Sequence, residues 1–142
     1  GTYHLAPAAH PVHGFVDNAL AVLLDPYAKA VGLIATGPFN LGSPDDYRVP
    51  DNGYHRQLPR DVWVPTVAVV VEVQSPDDET YAKFGFYAAH DVDEIMVAEP
   101  GNHLVRCFRR EGDQYAETAS SAVLQVETDV LVEAIDWPDP DL

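Results

Sequence analysis

The sequence predicts a mixed α/β (α+β) fold, in which a β-sheet carries packed helices. Two amphipathic stretches with helical spacing, at 10–25 and after Ser75, each precede several short apolar stretches typical of strands. The valine run that surrounds Glu72 reads as a strand buried on both faces. With 142 residues, of which 46% are hydrophobic, the chain is long enough for one domain with its own core.

The first half of the chain begins with a helix and continues with strands. Apolar residues recur every three or four positions from 10 to 25, and we expect Pro26 to end this helix. The sequence "SPDD" at 43–46 is typical of a turn. The predicted strands, each bounded by turn residues, cover 2–5, 30–37, 38–42, 52–55 and 63–74.

The second half begins with a helix-start signal at "SPDDE", residues 75–79. Ser75 can cap the helix, Pro76 suits its first position, and Asp78 completes a capping box. We expect this helix to run to about His90, with its aromatic residues on one side. Strands are then predicted at 93–100, 103–110, 114–119 and 122–126, the second and third forming a hairpin. For 129–138 the pattern leaves helix and strand open.

The charge of the chain bears on whether it binds nucleic acid. The net charge of −15, from 23 acidic and 8 basic residues, weighs against broad capture of nucleic acid, so DNA is a disfavoured partner. The basic residues gather into two groups, which could equally be solvated surface: Arg48, Arg56, Arg60 and Lys83, and Arg106, Arg109 and Arg110.

Cys107 and the lack of long apolar runs predict the cellular context. A single cysteine excludes an internal disulfide and a thiolate metal cluster, as is typical of a reducing cytosol, and Cys107 reads as a buried structural thiol. No apolar run is long enough to span a membrane. We therefore expect a cytoplasmic protein without a membrane partner. Because the chain does not begin with Met, we also expect a segment upstream of Gly1.

Glu72 is the most informative residue, because a carboxylate inside an apolar strand needs compensation. Gln74 shares its strand face, near the carboxyl end, where ligand sites of such sheets lie. Asp51 begins another strand after Pro50, and if the two strands are neighbours the carboxylates converge. Converging carboxylates require a cation or a shared proton, and Mg²⁺ or Mn²⁺ is the expected cation. Lys83, from the following helix, could reach back to the strand end.

Each of these residues also has a structural interpretation. Asp51 lies in "PDNG", which is turn chemistry, and Lys83 could pair with Glu79 at the surface. Glu72 could be an ion-pair partner of a residue such as Arg48. Three histidines are further candidates. His10 and His13 have the spacing of metal ligands but also suit the surface of a helix, and His55 lies on the strand face of Asp51.

Four stretches of the chain together resemble a known family: "RVPD" at 48–51, "VVVEVQSPDDET" at 69–80, "KFGFYAAHDVDEIMVAEP" at 83–100 and "IDWP" at 135–138. They are similar to the Uma-two (Uma2) family, bacterial restriction-endonuclease-like proteins with the PD-(D/E)XK nuclease fold. The resemblance implies one such domain over 1–142, with a mixed sheet and flanking helices.

The resemblance also implies a site. It assigns Asp51 and Glu72 as the two acids, Lys83 as the lysine supplied by the helix, and the Val73 carbonyl as a further metal ligand. Gln74 stands where a standard motif has lysine, so it is either a neutral ligand or a sign of lost activity. Two functions follow: a metal-dependent endonuclease that hydrolyses DNA phosphodiester bonds, with Arg48, Arg56 and Arg60 guiding the substrate, or a catalytically inactive binding or dimerisation module that could form a homodimer.

Overall fold

A computed structural model describes residues 11–75 and 79–139 of the chain, and these form three layers around one sheet. The α-helices are α1 (Pro11–Ala30), α2 (Phe84–Ala89) and α3 (Thr128–Ala134), and 3₁₀ turns lie at Thr80–Lys83 and Pro100–Asn102. The strands are β1 (Ile34–Ala35), β2 (Asn40–Ser43), β3 (Asp46–Arg48), β4 (Asn52–His55), β5 (Trp63–Val64), β6 (Val69–Val73), β7 (Glu94–Glu99), β8 (Leu104–Glu111), β9 (Gln114–Thr118), β10 (Ser120–Ser121) and β11 (Val126–Glu127).

The central sheet is mixed and has the strand order β1-β4-β6-β7-β8-β9. Its β6–β7 pair is parallel, while the other neighbours are antiparallel. A parallel pair needs a crossover connection, and the segment with α2 supplies it. Smaller sheets are formed by β3-β2-β5 and by β10-β11. The predicted mixed sheet with flanking helices is confirmed.

The two faces of β6 belong to two separate cores, as its alternating side chains require. Val69, Val71 and Val73 pack with the buried stripe of α1 and with α3. Val70 packs on the other face with Tyr87 of α2 and Leu41 of β2. Glu72 shares the face of Val70 and therefore points toward α2. The prediction of a strand buried on both faces is confirmed, since all five residues of β6 are buried.

The prediction that Pro26 ends the first helix is wrong, because α1 continues through Pro26 to Ala30. Pro26 cannot donate to the carbonyl of Val22, but Val22 lies on the exposed side of the helix, where water can serve that carbonyl. Ala28 is buried in the core and holds the last turn in place. The helix ends at Ala30, and Gly32, two residues later, has a φ of 73°, in the left-handed region. As a result, β1 is much shorter than predicted.

The predicted long strand from Trp63 to Gln74 is also wrong, because it forms two strands in two different sheets. β5 pairs with β2 in the small sheet, whereas β6 lies in the central sheet. Pro65, between them, lacks the N–H that a continuous ladder would need. The physical cause of the error is that a run of apolar residues does not reveal which sheet each part of it joins.

Other boundaries differ from the sequence predictions at the ends of elements. Residues 122–125 form a turn instead of a strand, and 129–138 contributes to helix α3. The helix predicted after Ser75 is a 3₁₀ turn followed by α2. The cap proposed for it at Pro76 and Asp78 lies outside the described residues. The strand predicted at 2–5 also lies outside them.

The strands predicted at 93–100, 103–110 and 114–119 are confirmed as β7, β8 and β9. The predicted hairpin, formed by β8 and β9, is also confirmed. Cys107 is buried in β8, and burial raises the pKa of its thiol to about 11, as expected of a structural cysteine. Among the described residues, none of the helices combines the length and apolar character needed to cross a bilayer.

Glu94 is a buried carboxylate that ties the turn before β11 to the central sheet. It accepts hydrogen bonds from the Ser121 hydroxyl at 2.5 Å and from the Ala122 N–H at 2.8 Å. The Ser121 oxygen in turn accepts from the Leu124 N–H at 2.9 Å. Arg109 lies 3.8 Å from the same carboxylate. The buried charge is thus compensated by a network that Ser121 joins together.

We expect Ser121→Ala to lower the free energy of unfolding by about 1–3 kcal/mol, because it leaves buried polar groups of Glu94 and Leu124 without a partner. Urea unfolding followed by circular dichroism measures this. The matched control is Ser120→Ala at the neighbouring, half-buried position, which should change stability by less than about 0.5 kcal/mol. Equal losses in both variants would contradict the role assigned to Ser121.

Candidate functional site

The pairing of β4 with β6 brings the two predicted acids to one place. The strands are antiparallel, and Asn52 lies opposite Val71. Asp51 immediately precedes β4, so this pairing leaves it beside the end of β6 that carries Glu72 and Val73. The backbone N–H of Val73 donates to Asp51 Oδ2 at 2.7 Å, which fixes Asp51 at the end of β6.

Glu72 is only 3% exposed and is supported from the helical layer above it. The Tyr87 hydroxyl donates a short hydrogen bond to Glu72 Oε1. Lys83 Nζ lies 3.8 Å from the same oxygen, close enough for an ion pair but too far for a hydrogen bond. The prediction that Lys83 reaches Glu72 from its helix is confirmed.

The protonation of Tyr87 reflects the charges around it. Burial raises the pKa of Tyr87, and the neighbouring Glu72 and the more distant Asp51 carboxylates raise it further. The phenol therefore remains a hydrogen-bond donor throughout the ordinary pH range. Both acids act on the same hydroxyl, so both lie near it.

Gln74 follows β6 and extends its parallel pairing, since its backbone N–H donates to the Ala98 carbonyl at 2.8 Å. Its side chain is half-buried, and by strand alternation it shares the face of Glu72. A carboxamide here can donate or accept a hydrogen bond but carries no charge. Lys83 supplies a positive charge close to Glu72 that Gln74 does not.

Helix α1 adds two residues that the sequence interpretation did not assign to this site. His13 Nε2 lies 3.1 Å from Asp51 Oδ1, so His13 contacts an acid. His10, the other histidine of the predicted pair, lies outside the described residues. Asp17 lies one helical turn after His13. Burial raises the pKa of Asp17, the charge of Asp51 raises it further, and His13 partly offsets this. Their spacing of four residues beside the apolar stripe was the available signal.

His55 lies away from the acids, at the other end of β4. Its Nε2 is 2.9 Å from the Thr36 hydroxyl, and its ring packs edge-on against Phe39. Burial lowers the pKa of His55. These contacts make His55 a core residue of the sheet edge and separate it from the chemistry of Asp51.

The first basic group is divided between the two ends of the sheet. Arg48 lies near the acids, with its guanidinium 4.5 Å from the centre of the Phe86 ring, and it also donates to Asp46. Arg56 follows the opposite end of β4, pairs with Asp93 at 2.7 Å, and lines a cavity of about 460 Å³ together with Arg60. Arg56 and Arg60, which the sequence grouped with Arg48 as guides for the substrate, therefore lie away from the acids.

The oxygen donors at the site fit a hard divalent cation, but only in an open arrangement. Within 11–75 and 79–139, His, Cys, Asp and Glu side chains form no group of three or more that could hold a metal ion. A closed cage of side chains is thus not found there. Mg²⁺ commonly needs only one or two carboxylates, with water and substrate phosphate completing its shell. The carboxylates of Asp51 and Glu72 and the Val73 carbonyl are donors of this kind.

Comparison with known proteins supports the fold and the family. A family model described as "Putative restriction endonuclease" (Uma2) matches residues 1–135. Among solved structures, the chain is similar to one described as a "putative nuclease belonging to DUF820" from Anabaena variabilis ATCC 29413. The TM-score is 0.72 at 12% identity, over 90% of this chain and 84% of that chain, which shows a shared fold. No curated protein matches the chain.

We expect Tyr87→Phe to lower the free energy of unfolding by about 1–3 kcal/mol, because the buried Glu72 carboxylate loses a hydrogen-bond donor. Urea unfolding of the single variants and of Tyr87→Phe combined with Glu72→Gln forms a double-mutant cycle. The loss should shrink in the Glu72→Gln background, where no charge remains to be supported. Strictly additive effects would show that the hydroxyl does not act through Glu72.

Proposed function

Because the chain belongs to the Uma2 family, described as "Putative restriction endonuclease", we propose that it is a metal-dependent endonuclease that hydrolyses DNA phosphodiester bonds at Asp51 and Glu72. One observation carries the proposal most: a glutamate that is 3% exposed lies on an apolar strand, with a lysine 3.8 Å away and an aspartate held by the backbone N–H of the next residue, Val73. Two acids and a lysine near one strand end are groups that can support phosphodiester hydrolysis with a divalent cation.

In this proposal, Asp51, Glu72 and the Val73 carbonyl would hold Mg²⁺ or Mn²⁺. When bound, such a cation lowers the pKa of a water molecule and offsets the negative charge of the scissile phosphate. The chain supports its own ligands: Tyr87 donates to Glu72, and the Val73 N–H donates to Asp51. These fixed hydrogen bonds keep the carboxylates in place before substrate arrives.

Lys83 is the residue that we expect to act on the reacting groups. Its side chain is 29% exposed, so the ammonium lies at the boundary between the buried Glu72 and solvent. There it can orient the attacking water or stabilise charge that builds up on the phosphate oxygens as the P–O ester bond breaks. Gln74 can add a neutral hydrogen bond at the position where a standard motif has lysine.

Substrate binding would rely on few positive groups, since the chain carries a net charge of −15. Arg48 is the arginine of the first basic group that lies on the side of the acids. We therefore expect DNA to bind weakly and to be released readily by salt.

The second candidate is a catalytically inactive module that binds a partner or forms a homodimer. It is favoured by Gln74, which replaces a charged group with a neutral one, and by the acidic composition. In this case the buried acids would persist as parts of the fold, and there would be no cleavage for substitutions to remove.

We expect Lys83→Met to reduce plasmid cleavage by about 10²-fold or more, because it removes a group that acts in the transition state while the side chain keeps a similar volume. Cleavage is measured at low salt with Mg²⁺ or Mn²⁺. The matched control is Lys29→Met, since Lys29 is exposed on α1 and pairs with Asp25, and it should retain wild-type cleavage. Equal cleavage in all three proteins would reject a role for Lys83, and no cleavage in any would favour the inactive module.

We expect Glu72→Gln to abolish metal-dependent cleavage and yet melt at or above the wild-type temperature in metal-free buffer. The glutamine keeps an acceptor for Tyr87, and the substitution relieves repulsion between Glu72 and Asp51. Thermal melts with and without Mg²⁺ check this, and Mg²⁺ should raise the melting temperature of wild type alone. A much lower melting temperature for the variant without metal would instead mark Glu72 as a structural ion-pair partner.

A further inference from the structure

Asp51 is held at both carboxylate oxygens by residues from different elements. The Val73 N–H donates to Oδ2 at 2.7 Å, and His13 Nε2 lies 3.1 Å from Oδ1. One donor alone would leave the carboxylate free to rotate about the bond to its β-carbon, whereas two donors on opposite oxygens fix its plane. The second donor comes from helix α1, whose contribution the family motif does not include.

We propose that His13 is a positioning residue that holds the Asp51 carboxylate in the orientation that a cation needs. An ionised carboxylate only accepts hydrogen bonds, so His13 Nε2 must carry the hydrogen in this contact. His13 thus acts through Asp51 and does not itself touch the reacting atoms. The proposal deepens the function proposed above, and its consequence for metal binding rests on that function.

The position of His13 follows from the way α1 packs on the sheet. Val16, Leu20 and Leu24 form the buried stripe of α1, against the face of β6 that carries Val71 and Val73. His13 lies one turn before Val16, in line with this stripe. The helix therefore carries His13 beyond the core to the end of β6. The stripe anchors the helix without His13, so the loss of one hydrogen bond should leave the fold intact.

The contact is also shielded enough to persist in water. The His13 side chain is 16% exposed and that of Asp51 is 23% exposed, so solvent competes only partly for either group. A hydrogen bond in such a setting restricts side-chain motion more than the same bond at an open surface. This is the arrangement by which outer residues commonly orient metal ligands, and its loss typically weakens metal binding by about 10–100-fold.

The first test needs no metal and is independent of nuclease activity. Long-range ¹H–¹⁵N NMR spectra of the full chain at neutral to slightly alkaline pH report which ring nitrogen of each histidine carries hydrogen. We expect His13, assigned from its loss in His13→Gln, to be the Nε2–H tautomer and to change its signals in Asp51→Asn. An Nδ1–H tautomer of His13 would overturn the proposal. So would His13 chemical shifts that are unchanged in Asp51→Asn.

The second test measures Mn²⁺ binding calorimetrically in wild type, His13→Phe and His13→Gln. We expect His13→Phe to bind Mn²⁺ about tenfold or more weakly, and His13→Gln to recover part of the loss because its amide can donate to Asp51. Melting temperatures recorded in parallel separate this effect from unfolding. The matched control is His103→Asn, at an exposed histidine with φ of 52°, which should bind like wild type.

The outcomes distinguish the two proposals. If wild type binds Mn²⁺ and His13→Phe binds it equally well, the positioning role fails while the metal site stands. If wild type binds no Mn²⁺, the metal-dependent function fails, and the tautomer experiment alone decides whether His13 holds Asp51. If His13→Phe does not fold, His13→Gln and the NMR test decide. The positioning role is rejected if His13→Gln binds Mn²⁺ as wild type does and the wild-type spectrum shows no Nε2–H tautomer for His13.

Discussion

A carboxylate inside an apolar sheet must be compensated by neighbouring groups, and Glu72 organises much of this structure around that requirement. The compensation comes from α2 and the turn before it, which supply the Tyr87 hydroxyl and the Lys83 ammonium. Those contacts orient the crossover segment between β6 and β7. A parallel pair of strands requires such a crossover segment. A polar requirement in the core thus fixes the helical layer on one face of the sheet.

Residues from the helices on both faces of the sheet contact acids at the end of β6. Tyr87 and Lys83 approach Glu72 from one face, while His13 and Asp17 approach Asp51 from the helix that packs on the other. The hydrogen bond from the Val73 N–H to Asp51 holds this acid at the end of β6, where Val73 follows Glu72 in the chain, and so connects the two sets. A change in either helical layer is therefore expected to reach the same pair of carboxylates.

The arginines illustrate how an acidic chain uses its few positive charges. Arg106 lies beside Glu99 and Glu117, Arg109 beside Glu94, and both Arg56 and Arg110 beside Asp93. Several of these partners are buried or half-buried, so the arginines compensate acids of the fold. They do not form the continuous basic surface that duplex DNA usually requires. Lys83 and Arg48 are the cations of the first basic group that lie near the acids.

Sequence alone determined the features that depend on neighbouring residues. The valine run with Glu72, the alternation that gives Gln74 the same face, and the α1 stripe all follow from local periodicity, and the family motif added Asp51 and Lys83. The fold class could be predicted for the same reason, because it depends on the order of elements more than on their ends.

Tertiary structure decided the rest, because it depends on which distant segments pair. Packing of Ala28 carries α1 past Pro26, and Pro65 divides one apolar run between two sheets. The hydrogen bond between Val73 and Asp51 and the approach of His13 to Asp51 are contacts between residues far apart in sequence. Local propensity cannot specify such contacts, since it is the burial of shared apolar surface that selects them from many alternatives.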